Sequence, residues 1–194
     1  MKIPIVAYGD PVLRKKAVEI SADYPNLGEL ISNMFETMYN ASGVGLAAPQ
    51  VGLSIRLFVI DLSDKDDPGY EEFKKVFINA KILEEKGEIW EFNEGCLSIP
   101  DIREDIKRLD TVTISYYDEN WQLRNETYDG LGARAIQHEF DHIEGKLFID
   151  KLSPLRRAML KSRFDAIKKG AIDVDYKMKF PALKPGNKGA KNRR

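Results

Sequence analysis

Apolar residues recur at helical spacing early in the chain, where they fall on one face of a helix. The members of this stripe are Leu27, Leu30, Ile31, Met34, Phe35 and Met38. Two glycines follow at positions 43 and 45, and glycine both breaks a helix and permits unusual backbone angles. The pattern therefore predicts an amphipathic helix over residues 27–39.

Later segments rich in β-branched and aromatic residues predict strands. They cover residues 55–62, 75–83, 88–92, 111–117, 121–128 and 147–149. A second helix is predicted over residues 131–143, and a basic helix over residues 154–169, since proline is tolerated in a first turn. This order of elements predicts an α+β domain with antiparallel β-sheets around a central helix, flanked by an N-terminal and a C-terminal helix.

Composition narrows the class of protein. Hydrophobic residues make up 43% and charged residues 31% of the 194 positions, as in an ordinary globular protein of one domain. No apolar run reaches about 18 residues, so we expect no membrane span, and the start lacks the apolar stretch of a secretory signal. A single cysteine cannot form an internal disulfide, which fits a reducing cytoplasm.

Charge is distributed unevenly along the chain. Residues 151–194 hold 14 lysines and arginines against 3 acidic residues, a net charge of +11, whereas residues 1–150 hold 16 basic and 28 acidic residues, a net charge of −12. Residues 177–194 combine 7 basic groups with several prolines and glycines, so we expect a tail without a core of its own. This asymmetry bears on binding partners rather than on fold.

The strongest chemical signal is the segment His138-Glu-Phe-Asp-His142, which contains the only 2 histidines of the sequence. On a helix these positions lie one turn apart on one face, so both imidazoles can reach one metal ion. Glu139 would then lie beside a water molecule on that ion, as a candidate base. The alternative is a polar helix face with two ordinary histidines. We therefore predict that the central helix binds a metal.

A catalytic metal site on this helix needs a third protein ligand. A histidine six residues after His142, as in metzincin proteases, is excluded because that residue is Phe148. Asp165 is a candidate carboxylate ligand. Cys96 is a better one, since one thiolate and two imidazoles leave the fourth position open to water. Cys96 lies in a loop bounded by glycine and proline, although an ordinary buried thiol is the alternative.

A third segment, residues 43–50, combines small residues with Gln50, so a substrate backbone could approach closely with an amide donor at hand. Residues 43–50, 94–98 and 138–142 read Gly-x-Gly-x-Ala-Ala-x-Gln, Glu-Gly-Cys-x-Ser and His-Glu-x-x-His. In this order they resemble the motifs of the peptide deformylase family, and the resemblance covers residues 9–154. It implies a hydrolase that removes the formyl group from the N-terminal formyl-methionine of new polypeptides.

The resemblance also implies roles for particular residues. Those that would hold the metal are Cys96, His138 and His142. Those that would act on the reacting group are Glu139 as general acid and base, with the Gln50 amide and the Leu97 N–H as donors to the carbonyl oxygen. Those that would contact the substrate are Val44, Gly45 and Arg103, with Leu131 and Ala135 forming the pocket for the methionine side chain.

The same resemblance implies a cofactor and partners. The cofactor would be one divalent metal ion per chain, Fe²⁺, with Zn²⁺, Ni²⁺ or Co²⁺ as replacements, because cysteine and histidine suit all of these ions. The partners would be nascent formyl-methionine polypeptides and, through the basic end, ribosomal RNA. We expect a monomer in the bacterial cytoplasm, with a catalytic deformylase domain over residues 1–170 and a basic extension over residues 171–194.

Two alternatives from other classes stay open at this point. The first is a cysteine hydrolase in which Cys96 is the nucleophile and His138 its base, and insensitivity to chelators would favour it. The second is a non-catalytic domain whose basic end binds RNA and whose metal is structural. A structural site normally has four protein ligands, and the sequence offers three.

Overall fold

A five-stranded antiparallel sheet, with strand order β2-β3-β4-β5-β6, forms the framework of the fold. In this computed structural model, which describes residues 1–64 and 69–181, the strands are β1 (Ile5–Val6), β2 (Gly45–Ala47), β3 (Leu57–Asp61), β4 (Lys74–Cys96), β5 (Ile99–Tyr117), β6 (Leu123–Asp129) and β7 (Met178–Lys179). β4 and β5 are the two long strands, and the turn between them holds Leu97 and Ser98. This turn brings the Cys96 segment to the middle of the molecule.

The helices lie on and around this sheet. They are α1 (Leu27–Asn40), α2 (Gly130–Ile143), α3 (Pro154–Met159) and α4 (Lys161–Lys168), with short 3-10 helices at Pro11–Arg14, Ala48–Val51 and Phe148–Lys151. No helix in the described ranges is long and apolar enough to cross a membrane. The predicted α+β class is confirmed, with α2 as the helix packed on the sheet.

α2 packs closely on the sheet because its inner face carries small residues. Ala133 and Ile136 are fully buried against the stacked rings of Phe58 and Phe77, whose centroids are 4.6 Å apart. A Cβ atom at Gly132 would lie 3.2 Å from the Phe73 ring, so glycine allows this close approach. The position of α2, and with it both histidines, is therefore fixed by the main core.

The long strands differ from the prediction. Residues 75–83 and 88–92 belong to the single strand β4, and β5 begins at Ile99 rather than at residue 111. The pairing of β4 with β5 shifts register between Lys86 and Ile89 and then continues. The exposed charged residues of this segment suggest, in the sequence, a break between two strands. Glu104 and Arg108 occupy buried positions in β5, which interrupts the apolar alternation that marks a strand.

The predicted C-terminal elements also need correction. Residues 147–149 are not a strand, because the Asp150 carboxylate accepts a hydrogen bond from the Leu147 N–H at 2.9 Å and caps a 3-10 turn. The predicted basic helix is divided into α3 and α4 at Leu160, whose side chain is buried in an apolar cluster with Phe148 and Phe164. Both changes satisfy local polar groups while the apolar side chains stay inside.

The two ends of the described chain pair with each other, which the sequence pattern did not predict. β1 and β7 form a parallel pair, and Phe180 is 7% exposed. The prediction of a tail is therefore wrong for residues 177–181, while residues 182–194 lie outside the described ranges. The boundary predicted at residue 170 stays a prediction.

Candidate active site

Three candidate metal ligands meet where α2 crosses the turn between β4 and β5. One ligand atom from each of Cys96, His138 and His142 lies within 4.8 Å of the others, and Cys96 Sγ is 3.3 Å from His142 Nε2. Tetrahedral coordination with bonds of about 2.0–2.3 Å places ligand atoms about 3.3–3.6 Å apart. The donor set therefore fits a transition metal ion. Asp165, the alternative ligand, instead pairs with Lys168 at 3.7 Å on α4.

A buried carboxylate orients the first histidine. Glu94, with a side chain 3% exposed, accepts a hydrogen bond from His138 Nδ1 at 3.0 Å, from Arg108 at 2.8 and 3.0 Å, and from Arg134 at 2.8 Å. Since Nδ1 is bonded to Glu94, Nε2 of His138 is the nitrogen left for a ligand. Arg108 also donates to Asp141 at 2.7 Å, so it holds two carboxylates of the site.

The electrostatics of the cluster favour a positive charge at its centre. Burial acts to lower the pKa of His138, but hydrogen bonds with Cys96 and Glu94 hold that pKa well above its usual value. Burial and the charge of His138 lower the pKa of His142. The two imidazoles are therefore coupled, because the positive charge of a protonated His138 opposes protonation of His142.

Glu139 is placed for proton transfer. Its side chain lies inside the protein, and its Oε2 has no hydrogen-bond partner among the residues described. Burial raises the pKa of Glu139 to about 7, with the charge of His138 acting against the rise. A Cβ atom at Gly45 would lie 2.8 Å from Glu139 Cδ, so any larger residue at position 45 would displace this carboxyl group. A carboxyl group that titrates near neutral pH is suited to general acid–base catalysis.

Two hydrogen-bond donors border the same space. Gln50 is 1% exposed, and its Oε1 accepts a hydrogen bond from Ala47 N at 2.8 Å, which fixes the amide plane. Its Nε2 is thereby directed to Cys96 Sγ at 3.5 Å and Ser98 Oγ at 3.4 Å. Both contacts are long for hydrogen bonds, so this N–H group can serve a better acceptor. Leu97, the other predicted donor, is the residue after Cys96.

A cavity of about 960 Å³ opens onto these groups. The predicted site residues that line it are Val44, Gly45, Gln50, Cys96, Leu97, Arg103, Leu131, Ala135, His138 and Glu139. His142 is 1% exposed and lies behind this wall, with its Nε2 facing Cys96. The structure thus brings together all the residues to which the resemblance assigns a role in the site, including apolar residues of α2 and Gly45 of β2.

Sequence reasoning missed several residues of this site. Arg134 lies one turn before His138 on α2, and this spacing is the only local signal that could have found it. Arg108 comes from the middle of β5, and Tyr176, which lines the cavity, comes from near the chain end. Neither carries a local motif, because each reaches the site through tertiary packing.

A cysteine thiol and two imidazoles, beside a carboxyl group with a pKa of about 7 and an oriented amide donor, define a site suited to a hydrolase that acts on an amide carbonyl. Residues 2–158 match the family model described as "Polypeptide deformylase". The peptide deformylase of Christiangramia forsetii is 57% identical over 193 residues, covering 95% of this chain and 98% of that protein.

Solved structures agree with the family model. A crystal structure of a peptide deformylase from Legionella pneumophila has a TM-score of 0.77 and 41% identity, covering 87% of this chain and 96% of that one. The peptide deformylase structure from Thermotoga maritima has a TM-score of 0.72 and 42% identity, covering 79% and 99%. The chain belongs to the peptide deformylase family. The expected function, removal of the N-formyl group from nascent polypeptides, is confirmed.

Proposed function

We propose that this chain hydrolyses the formamide bond of N-terminal formyl-methionine with a divalent metal held by Cys96, His138 and His142. The observation that carries the proposal is the convergence of the three ligand atoms within 4.8 Å at the base of the cavity. The chemistry supplied by a metal there is polarisation of the formyl oxygen and a lowered pKa of water. Fe²⁺ is the proposed native ion on the strength of the family resemblance, with Zn²⁺, Ni²⁺ or Co²⁺ as replacements.

Glu139 is the proton carrier of the proposed reaction. It accepts a proton from the attacking water and delivers it to the nitrogen of the leaving amine, so the N-terminus of the polypeptide becomes free. The same carboxyl group must be a base first and an acid afterwards, and a pKa of about 7 suits both steps at neutral pH.

Gln50 and Leu97 are proposed to stabilise the carbonyl oxygen as it gains negative charge. The Gln50 Nε2–H and the Leu97 N–H would donate to this oxygen, and both residues line the cavity. Such donors act best when their direction is fixed in advance, and the Ala47 contact fixes that of Gln50. Loss of one donor in comparable acyl-transfer sites costs about 3 kcal/mol.

The substrate is proposed to lie along β2. This strand is first in the sheet order and pairs only with β3 among the described residues, so its other edge, from Gly45 and the preceding Val44, can pair with an extended peptide. Leu131 and Ala135 form the apolar wall for the methionine side chain. Arg103 lies at the rim, where its guanidinium donates to Asn93 Oδ1 at 2.8 Å and to the Asn93 carbonyl at 2.6 Å.

The test compares formyl-methionyl and acetyl-methionyl peptides, together with metal content per chain. We expect formate release from the first substrate, much slower reaction of the second, one metal per chain, and loss of activity after chelation with recovery on adding Fe²⁺ or Ni²⁺. Full activity in a metal-free sample would instead favour a cysteine hydrolase. In that case Cys96 would be the nucleophile and His138 its base, with His142 Nε2, 3.3 Å from Cys96 Sγ, as a second imidazole beside the thiol.

The place of action is part of the same proposal. We propose that the chain works as a monomer in the bacterial cytoplasm on nascent polypeptides, with its basic end near ribosomal RNA. The exposed basic residues of α3 and α4 support this contact, because phosphate neutralisation by Lys and Arg drives binding to nucleic acid. Analytical ultracentrifugation tests the monomer, and ribosome co-sedimentation tests the contact.

A further inference from the structure

The turn between β4 and β5 is held from outside by both ends of the chain. Cys96 pairs with Ile99 across this turn, and Leu97 and Ser98 form its tip. The Ser98 carbonyl accepts a hydrogen bond from the Tyr8 N–H at 2.8 Å. The Leu97 carbonyl accepts one from the Tyr176 hydroxyl, also at 2.8 Å. Each carbonyl of the tip is therefore bonded to a residue remote in sequence.

These two residues are joined to each other by the parallel pair of β1 and β7. Ile5 N–H donates to the Lys177 carbonyl at 2.8 Å, and Ala7 N–H donates to the Lys179 carbonyl at 2.9 Å. Exposed residues alternate with partly or fully buried ones along residues 172–180, so Tyr176 faces inward. Its ring packs against the apolar cluster that α1, β2 and β3 form. The Tyr176 hydroxyl is therefore placed by a paired and packed segment.

This contact bears on the proposed role of Leu97. An N–H group stabilises an oxyanion only if its direction is fixed before the reaction. In a tip of two residues with fixed ends, rotation of the 97–98 peptide plane must be accommodated by the neighbouring 96–97 plane, which carries the Leu97 N–H. The partner of the Leu97 carbonyl is the Tyr176 hydroxyl. Without this bond, the Leu97 N–H would lose part of its fixed direction.

We propose that Tyr176 is a positioning residue for the reaction, whose hydroxyl holds the Leu97 carbonyl so that the Leu97 N–H points to the oxyanion. The inference rests on the proposed function, in which Leu97 is a donor. Residues 2–158 match the family model, so Tyr176 lies beyond the matched segment and extends the site to the residues after α4.

The test is Tyr176→Phe, which removes the hydroxyl and keeps the ring. We expect kcat to fall about fivefold, as for the loss of one neutral hydrogen bond, with KM within about twofold of wild type. Metal content should stay unchanged, and the melting temperature should fall by no more than about 4 °C, as for the loss of one hydrogen bond. In zinc-loaded protein, the amide NMR signals of residues 97 and 98 should shift more than those of α2. The matched control is Tyr24→Phe, because Tyr24 borders the same cluster and its hydroxyl bonds to no described residue.

The outcomes separate this inference from the proposed function. If wild type releases no formate, the proposed function fails, and Tyr176 is not at issue. If Gln50→Ala lowers kcat but Tyr176→Phe does not, the inference alone is overturned. A rise in KM with unchanged kcat would make Tyr176 a substrate contact. A fall in kcat with loss of metal, or with a fall in melting temperature well beyond about 4 °C, would make it a structural residue. Both results also overturn the inference.

Discussion

Two charge-rich regions of this molecule differ in what surrounds them. Around Glu94, the side chains of Glu94, Arg108 and Arg134 are each 3% exposed, and both arginines donate hydrogen bonds to Glu94. On α3 and α4, Arg156 is 46% exposed where it meets Glu104, and Lys168 and Asp165 are 41% and 43% exposed. The first group is a buried network beside the candidate metal ligands, and the second is a solvated face.

Burial decides what each group of charges can do. A buried carboxylate is tolerated only when its acceptor positions are filled, so the Glu94 network admits one geometry and transmits it to His138. Exposed pairs are screened by water and salt, so they contribute little to stability and leave the side chains free to move. The buried network should therefore respond strongly to small changes, whereas the basic face should act mainly through its total charge.

The largest effect is expected for Glu139→Gln, a change of similar volume inside the buried region. The amide cannot accept the proton from water, so kcat should fall by about 10²–10⁴. Metal content should be unchanged, since Glu139 is not among the proposed ligands. Stopped-flow or formate-release kinetics on metal-loaded protein measure this effect. Turnover near that of wild type would show that another group carries the proton.

A strong effect on stability is expected for Glu94→Gln. The change leaves Arg134 buried without a countercharge and Arg108 with Asp141 alone, which should cost about 3 kcal/mol or more. Metal affinity should fall about 10–100-fold because His138 loses its orienting carboxylate. The matched control is Glu91→Gln on the same strand, where Glu91 meets the exposed Lys107 at 3.6 Å. Urea titrations and metal competition should separate the two variants, and equal losses would contradict the comparison.

The contrast explains how much of the site the sequence could predict. Local signals predicted His138 and His142, one helical turn apart, and the Cys96 motif, and the structure brings these residues together. Arg108 and Arg134 could not be assigned to Glu94, because they lie 14 and 40 residues from it in sequence. When tertiary packing determines the partner of a residue, no periodic pattern in the nearby sequence can identify that partner.

The fold divides in the same way. α1 and α2 were predicted almost in full, because their apolar spacing is local. The continuous strand β4 and the pair β1–β7 were missed. Their stability comes from pairing with distant segments, and the exposed charged residues along β4 are typical of a loop rather than a strand.

A smaller and pH-dependent effect is expected for the pair of Arg14 and Asp150, which is only partly exposed. Burial acts to raise the pKa of Asp150, but hydrogen bonds from Arg14 and the Leu147 N–H outweigh it and lower the pKa below 3.8. The stabilisation is therefore complete above pH 3.8 and is lost as the pH falls through the lower folded value. After discounting for solvent screening, Asp150→Asn should cost about 1 kcal/mol at pH 7. Urea titrations at pH 7 and 3 should show this difference shrinking in acid, and a constant difference would contradict the assignment.

The smallest effect on peptide turnover is expected from reversing charge on the basic face. Arg156 must be left unchanged, because it donates to Glu104 at 2.8 Å through two nitrogens, and a glutamate there would face a nearly buried carboxylate. Arg157, Lys161 and Lys169 are exposed and form no ion pair with any described residue. The triple variant Arg157→Glu, Lys161→Glu, Lys169→Glu therefore changes charge without disturbing packing.

Turnover of a short formyl-methionyl peptide by this triple variant should stay within about twofold of wild type, since the active site is unchanged. Ribosome co-sedimentation should fall sharply, and the salt dependence of the remaining binding should be shallower because fewer phosphates are neutralised. The charge-preserving variant Arg157→Lys, Lys161→Arg, Lys169→Arg is the control and should bind like wild type. Ribosome binding that survives charge reversal would contradict docking through α3 and α4, and the basic face would then act only as a solvated surface.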